Sequence, residues 1–223
     1  MAHGGGWAFG NKRAPGVVGH KAAHRVAAGV IFVSVDYRLL PDAGPRTQAI
    51  NALATVQQRA APLGGDASRA MLMGHSAGAH LAALVHSDRA ITHNAAVRPW
   101  LGTVVPDSAA LDVPTLMSDQ PGGLHVRAFG DDRAAWAAAS PLHVLMGPTP
   151  PLLAVCAMRR RTPCLQSRAY AQRANALAGD TQVLPIRLTH AQINRDLGMP
   201  SRYTRRVDAF LRTLDPRLAH LSR

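Results

Sequence analysis

Ala70-Met71-Leu72-Met73-Gly74-His75-Ser76-Ala77-Gly78-Ala79-His80-Leu81 is the stretch on which the fold turns. Residues 70–73 form a short apolar run, read as a buried strand, and residues 77–86 read as a helix. Between them lies Gly74-x-Ser76-x-Gly78. A sharp strand-to-helix turn lifts a serine above the end of a sheet, and flanking glycines let the backbone approach without a Cβ clash. The free N–H groups of the following helix favour developing negative charge. Ser76 is therefore a candidate nucleophile. The plainer reading of the same residues is a serine that caps a helix after a tight turn.

Outward from this stretch, short apolar runs alternate with longer amphipathic ones. Strands are expected at residues 30–35, 101–105, 152–157 and 182–188. Helices are expected at 43–61, with Ile50, Leu53, Ala54 and Val56 on its apolar side, and at 165–177 and 203–214. Residues 112–145 read as irregular, with one short helix near 132–138. Strands alternating with helices imply an α/β fold, a mostly parallel sheet covered on both faces. No repeat or linker interrupts the pattern, so residues 1–223 read as a single domain.

A second glycine-rich element stands at the start, His3-Gly4-Gly5-Gly6-Trp7. Backbone N–H groups without flanking side chains can point at an oxyanion, and one such donor is worth about 3 kcal/mol to a transition state. Gly5 and Gly6 are the candidate donors, with the N–H of Ala77 as partner. The alternative is a flexible glycine tail.

The formal net charge of +12 raises the question of an anionic partner. Arginine supplies nearly all of it, with Lys12 and Lys21 the only lysines, and glutamate is absent. The arginines are scattered, Arg159-Arg160-Arg161 being the only run of three, and no basic module appears. Nucleic acid is thus not an expected partner. No apolar run approaches the ~20 residues that span a bilayer, so no membrane partner is expected either. No secretory signal is visible, which leaves the compartment open. Cys156 and Cys164 fit either a small disulfide loop or two reduced thiols, and no zinc pattern is present.

The two glycine motifs, with Asp36-Tyr37-Arg38-Leu39-Leu40-Pro41 between them, resemble the α/β-hydrolase fold. The chain is most similar to the bacterial esterase/lipase group with a His-Gly-Gly-Gly-Trp loop. Residues 74–81 also resemble feruloyl-esterase-like and kynurenine-formamidase-like enzymes. The resemblance implies a serine hydrolase acting on small or aryl esters, with no metal or organic cofactor. An arylformamidase-like amidohydrolase and a degenerate, non-catalytic homologue are the alternatives. Oligomeric state is not indicated.

In this fold the base follows the last strand and comes after the acid in chain order. His190, in Leu188-Thr189-His190-Ala191-Gln192-Ile193-Asn194, resembles the family's histidine loop. His75, His80 and His86 are expected to point away from Ser76, and His93, His125 and His143 at most to line a pocket. The usual acid position, after the strand at 152–157, reads Met158-Arg159-Arg160-Arg161-Thr162-Pro163-Cys164 and holds no carboxylate. Thr162 stands in its place. Asp107, just after the strand at 101–105, is the candidate acid, with Asp112 next. A turn residue capping Ser108-Ala109-Ala110 is the other reading of Asp107. Only Met1 and Ala2 precede His3, so the strand that ordinarily leads into the glycine loop is expected to be missing. The expectation is then either a domain truncated at its N-terminus, with two rows of unpaired backbone groups in mid-sheet, or remaining strands that pair differently.

Overall fold

The structure is a computed structural model that describes residues 1–219, apart from the side chains of residues 49–52. In chain order its elements are α1 (Pro15–Ala27), α2 (Pro45–Gln58), β1 (Met71–Met73), α3 (Ala77–Ser87), α4 (Arg89–Asn94) and β2 (Gly102–Pro106). Four short helices follow: α5 (Val113–Ser118), α6 (Gly123–Phe129), α7 (Arg133–Ala138) and α8 (Pro141–Val144). The chain continues through β3 (Leu152–Ala157), α9 (Arg161–Ala176), β4 (Thr181–Ile186), α10 (His190–Arg195) and α11 (Arg202–Leu214).

The strands pair in the order β1-β2-β3-β4, all parallel. Every residue of β2 and β3 is buried, as expected for strands covered on both faces. Their side chains alternate between two cores. Val104, Leu153 and Val155 meet Val207, Phe210 and Leu211 of α11 on one face. Val105, Leu152 and Ala154 meet Ala79, Ala82 and Ala83 of α3 on the other. All of α3 is buried, in keeping with a sequence rich in Ala, Leu and Val, and its polar His80, His86 and Ser87 are hydrogen-bonded. On α2, Leu53 and Ala54 are buried as expected, whereas Ile50 falls outside the described side chains.

The strand expected at residues 30–35 does not form. A strand needs a partner for its ladder, and this stretch has one only at its end. The ammonium of Met1 donates to the carbonyl of Val33 at 2.7 Å, and Val35 N–H donates to Met1 at 3.1 Å. On its other side Ala2 bridges to Gly74, its N–H donating to the Met73 carbonyl at 2.8 Å. Met1 and Ala2 thus sit between the two segments. Before Val35 the separation persists as a cavity of about 560 Å³, lined by Val30, Ile31 and Val33 on one side and Met71 and Met73 on the other.

Several helices differ from expectation. The pattern predicts no helix at α1, α4 or α10, nor at α5, α6 and α8 within the stretch 112–145, and α9 begins four residues early, at Arg161 rather than 165. Pro163 lies in the first turn of α9, where its missing N–H has no helical partner to lose. Cys156 of β3 and Cys164 of α9 form a disulfide, which closes the turn at 158–160 from both ends.

Candidate active site

Ser76 sits between β1 and α3 with φ 57° and ψ −118°, a conformation that side chains rarely adopt. Its neighbours make the turn feasible. A Cβ on Gly74 would lie 2.0 Å from the carbonyl oxygen of Gly78, and one on Gly78 would lie 2.4 Å from the carbonyls of Ala2 and His3. The turn is pinned on both sides, because His75 N–H donates to Ala2 and Ser76 N–H to Pro106. The Ser76 side chain makes no capping hydrogen bond to α3. Geometry therefore rejects the helix-cap reading: among the described residues Oγ, at a strained position, has no hydrogen-bond partner.

The glycine loop is folded tightly rather than trailing. Gly5, Gly6 and Trp7 have φ of 128°, 58° and 61° in succession. A Cβ on Gly5 would lie 2.1 Å from the Phe9 carbonyl, so only glycine fits there. Among the described residues, the N–H groups of Gly5, Gly6 and Ala77 have no acceptor. Trp7 anchors the loop. It is buried against Phe129, and its indole N–H donates to His80 Nδ1 at 3.1 Å. Opposite, His80 Nε2 donates to the Ala139 carbonyl at 2.8 Å. These two bonds fix one neutral tautomer, and burial lowers the His80 pKa to about 4. His3 stacks on Tyr37 with centroids 4.3 Å apart, and the Tyr37 hydroxyl donates to the His3 carbonyl at 2.8 Å.

Asp107 follows β2 directly, at φ 58°, and is 0% exposed. Its Oδ1 accepts from Ala157 N–H at 2.8 Å. Its Oδ2 lies 2.6 Å from His190 Nδ1 and 2.7 Å from Arg160 Nη1. The residue does not cap the Ser108 turn, where Ser108 Oγ itself accepts from Ala110 N–H. Burial alone would raise the Asp107 pKa, but the donors from His190, Ala157 and Arg160 outweigh it and hold the carboxyl below its usual range. Asp112 caps α5 instead, accepting from Thr115 N–H and hydroxyl. Thr162 lies in the first turn of α9.

His190 opens α10 and is held by a capping box, in which the Thr189 hydroxyl accepts from Gln192 N–H and the Gln192 side chain accepts from Thr189 N–H. His75 adds a second hold, its Nε2 lying 3.0 Å from the His190 carbonyl and its ring 4.5 Å from the imidazole. Burial, chiefly, lowers the His75 pKa to about 3, so this neighbour is neutral. As expected, His75, His80 and His86 are all turned to other partners. Among the described residues no hydrogen bond joins His190 to Ser76 Oγ, and such bonds commonly tighten only when substrate is present.

Ser76, Ala77, Gly6, Trp7, Leu124 and Arg160 line one cleft of about 120 Å³, to which Asp107 also contributes. The larger cavity beside residues 30–35 contains none of the candidate residues. No group of three metal-ligating side chains occurs among the described residues. Two participants went unnoticed in the sequence. The sequence marks Arg160 only as one of a run of three charges in the turn where a carboxylate is usual, and nothing there singles it out. The bracing role of His75 had no signal beyond its place next to the serine.

A family model described as alpha/beta hydrolase fold matches residues 1–187. Over 87 residues the chain is 44% identical to "Carboxylesterase NlhH" of Mycobacterium tuberculosis, a match covering 37% of this chain and 26% of that enzyme. The chain therefore spans about a quarter of the length of the curated relatives it matches. Among solved structures, apo esterase 2 of Thermogutta terrifontis superposes with a TM-score of 0.77 at 19% identity, covering 96% of this chain and 82% of that one. A further structure of that esterase has butyrate bound. Carboxyl esterase 2 of the fungus Tuber melanosporum gives 0.75 at 20% identity, covering 97% and 77%. With the strand–serine–helix turn, the parallel sheet and the model match over most of its length, the chain belongs to the alpha/beta hydrolase fold family.

Proposed function

We propose that the protein is a serine hydrolase of small carboxylic esters, working through an acyl-enzyme on Ser76. One observation carries the reading: a strained serine opens onto the same cleft as the buried aspartate that holds His190, with Oγ and the N–H groups of Gly6 and Ala77 unpartnered among the described residues. In this mechanism Ser76 Oγ attacks the ester carbonyl and its proton passes to His190 Nε2. Asp107 accepts from Nδ1–H and stabilises the imidazolium that results. The N–H groups of Gly5, Gly6 and Ala77 receive the charge on the carbonyl oxygen. His190 returns the proton to the departing alcohol, and water then releases the acid by the reverse sequence.

Two observations support a small acyl group, the cleft of about 120 Å³ and the butyrate held by the Thermogutta esterase. Ester rather than amide chemistry is favoured by the names of the relatives, which are esterases throughout. The test is hydrolysis of 4-nitrophenyl acetate and butyrate by the parent and by Ser76→Ala. Loss of turnover to the background rate in the variant is expected. Activity retained within tenfold would remove Ser76 from its role.

A further inference from the structure

We propose that Arg160 makes this site selective for esters carrying a carboxylate, and that it restrains His190 until that carboxylate is bound. The proposal rests on the reading of Ser76 and His190 given above. Arg160 Nη1 lies 2.7 Å from Asp107 Oδ2 and 2.8 Å from His190 Nδ1, while those two atoms are 2.6 Å apart. The three form a near-equilateral triangle. Hydrogen-bond chemistry does not allow all three sides at once, because arginine only donates. If Nδ1 carries its proton to Asp107, the Arg160 contact sets donor against donor. If Nδ1 is bare and accepts from Arg160, the proton sits on Nε2, and His190 has no lone pair there for the serine proton. Arg160 thus competes both for the lone pairs of Asp107 and for the tautomer of His190.

The same side chain is placed to recognise an anion. It is 40% exposed and lines the Ser76 cleft, and Nη1 is its only nitrogen with a partner among the described residues. The remaining N–H groups of the guanidinium match a carboxylate in the bidentate manner. His125 lines that cleft too, and its Nδ1, shielded from solvent, has no partner among the described residues. The Arg160 charge and burial together lower the His125 pKa, burial being the larger cause, which leaves a neutral ring able to supply one N–H. A carboxylate bound by Arg160 and His125 would draw the guanidinium from Oδ2 and leave Asp107 to His190 alone. Arg160 is in this sense a positioning and specificity residue.

The experiment compares the parent with Arg160→Ala and Arg160→Gln, the second keeping a similar stem in case the first disturbs the turn. Rates on ethyl hydrogen succinate and ethyl butanoate are followed by pH-stat. The parent should prefer the anionic ester tenfold or more in kcat/KM. Both variants should lose that preference and gain kcat on the neutral ester. A second readout needs no turnover: the ¹⁵N shifts of the His190 ring, assigned with His190→Gln. Nδ1 should gain its proton in both variants, and in the parent when succinamate, a carboxylate without an ester, is added. A selectivity ratio untouched by the variants in active enzyme, or a His190 tautomer insensitive to Arg160 and to succinamate, would overturn the proposal. If no ester is turned over by any of the three proteins, the proposed hydrolase activity fails, and the ¹⁵N spectrum still decides the role of Arg160.

Discussion

Asp107 gathers three donors around a carboxylate that has no contact with water. Its position one residue beyond β2 puts it beside the turn after β3, where the fold more often keeps its acid. Losing the acid of such a triad costs about 10⁴ in rate. Asp107→Ala should therefore lower kcat on a nitrophenyl ester by about 10³–10⁴-fold, while Thr162→Asp should leave it unchanged. The opposite pattern, read from steady-state kinetics on the two variants, would return the acid's role to position 162. Ser76, His190 and Asp107 were each legible as residue types in order after known strands. Arg160 was not, since nothing in a run of three arginines says which of them turns inward.

Among the elements, β3 was legible to the residue because six apolar residues in a run are buried on both faces. The stretch 30–35 is richer in β-branched residues than β3 and yet forms no strand, because strand formation depends on a neighbour that sequence pattern does not reveal. Of the four short helices in 112–145 only α7 is legible, as the short helix expected near 132–138, while α5, α6 and α8 are too brief for periodicity to register. Helix α10 is short but exposes a testable device. Its capping box fixes the first turn, which is where His190 stands. Thr189→Ala should cost about 1 kcal/mol of stability in urea titration, and should lower kcat by loosening the imidazole. Unchanged kcat with reduced stability would separate the cap from the site. The disulfide between β3 and α9 closes a short loop worth about 2–3 kcal/mol. Reduction should lower the melting temperature and, by freeing the turn that carries Arg160, change the preference between anionic and neutral esters.

Across the whole molecule, three buried histidines set an acid limit. Burial is the first cause in each case, lowering His75 to about 3, His80 to about 4 and His86 to about 3. In the unfolded chain they titrate near 6.5. Between about pH 4 and 6.5 the unfolded state therefore binds more protons, and stability falls as pH falls, by up to about 1.4 kcal/mol per pH unit for each histidine. Asp107 acts in the same sense at lower pH: its stabilisation is present above the unfolded carboxyl value and is lost as pH drops through the depressed one. Calorimetric melting temperatures should decline already between pH 6.5 and 5, and His80→Gln should make that decline shallower. A plateau down to pH 4 would contradict the neutral assignment of these rings.

Activation of Ser76 as a nucleophile is tested, without knowledge of the substrate, by labelling with a fluorophosphonate probe. The folded parent should take up one equivalent of probe, with the phosphonyl group found by mass spectrometry on the peptide containing Ser76. Ser76→Ala should take up none, and His190→Gln should react far more slowly. A parent that stays unlabelled, or that is labelled at another residue, would contradict the account.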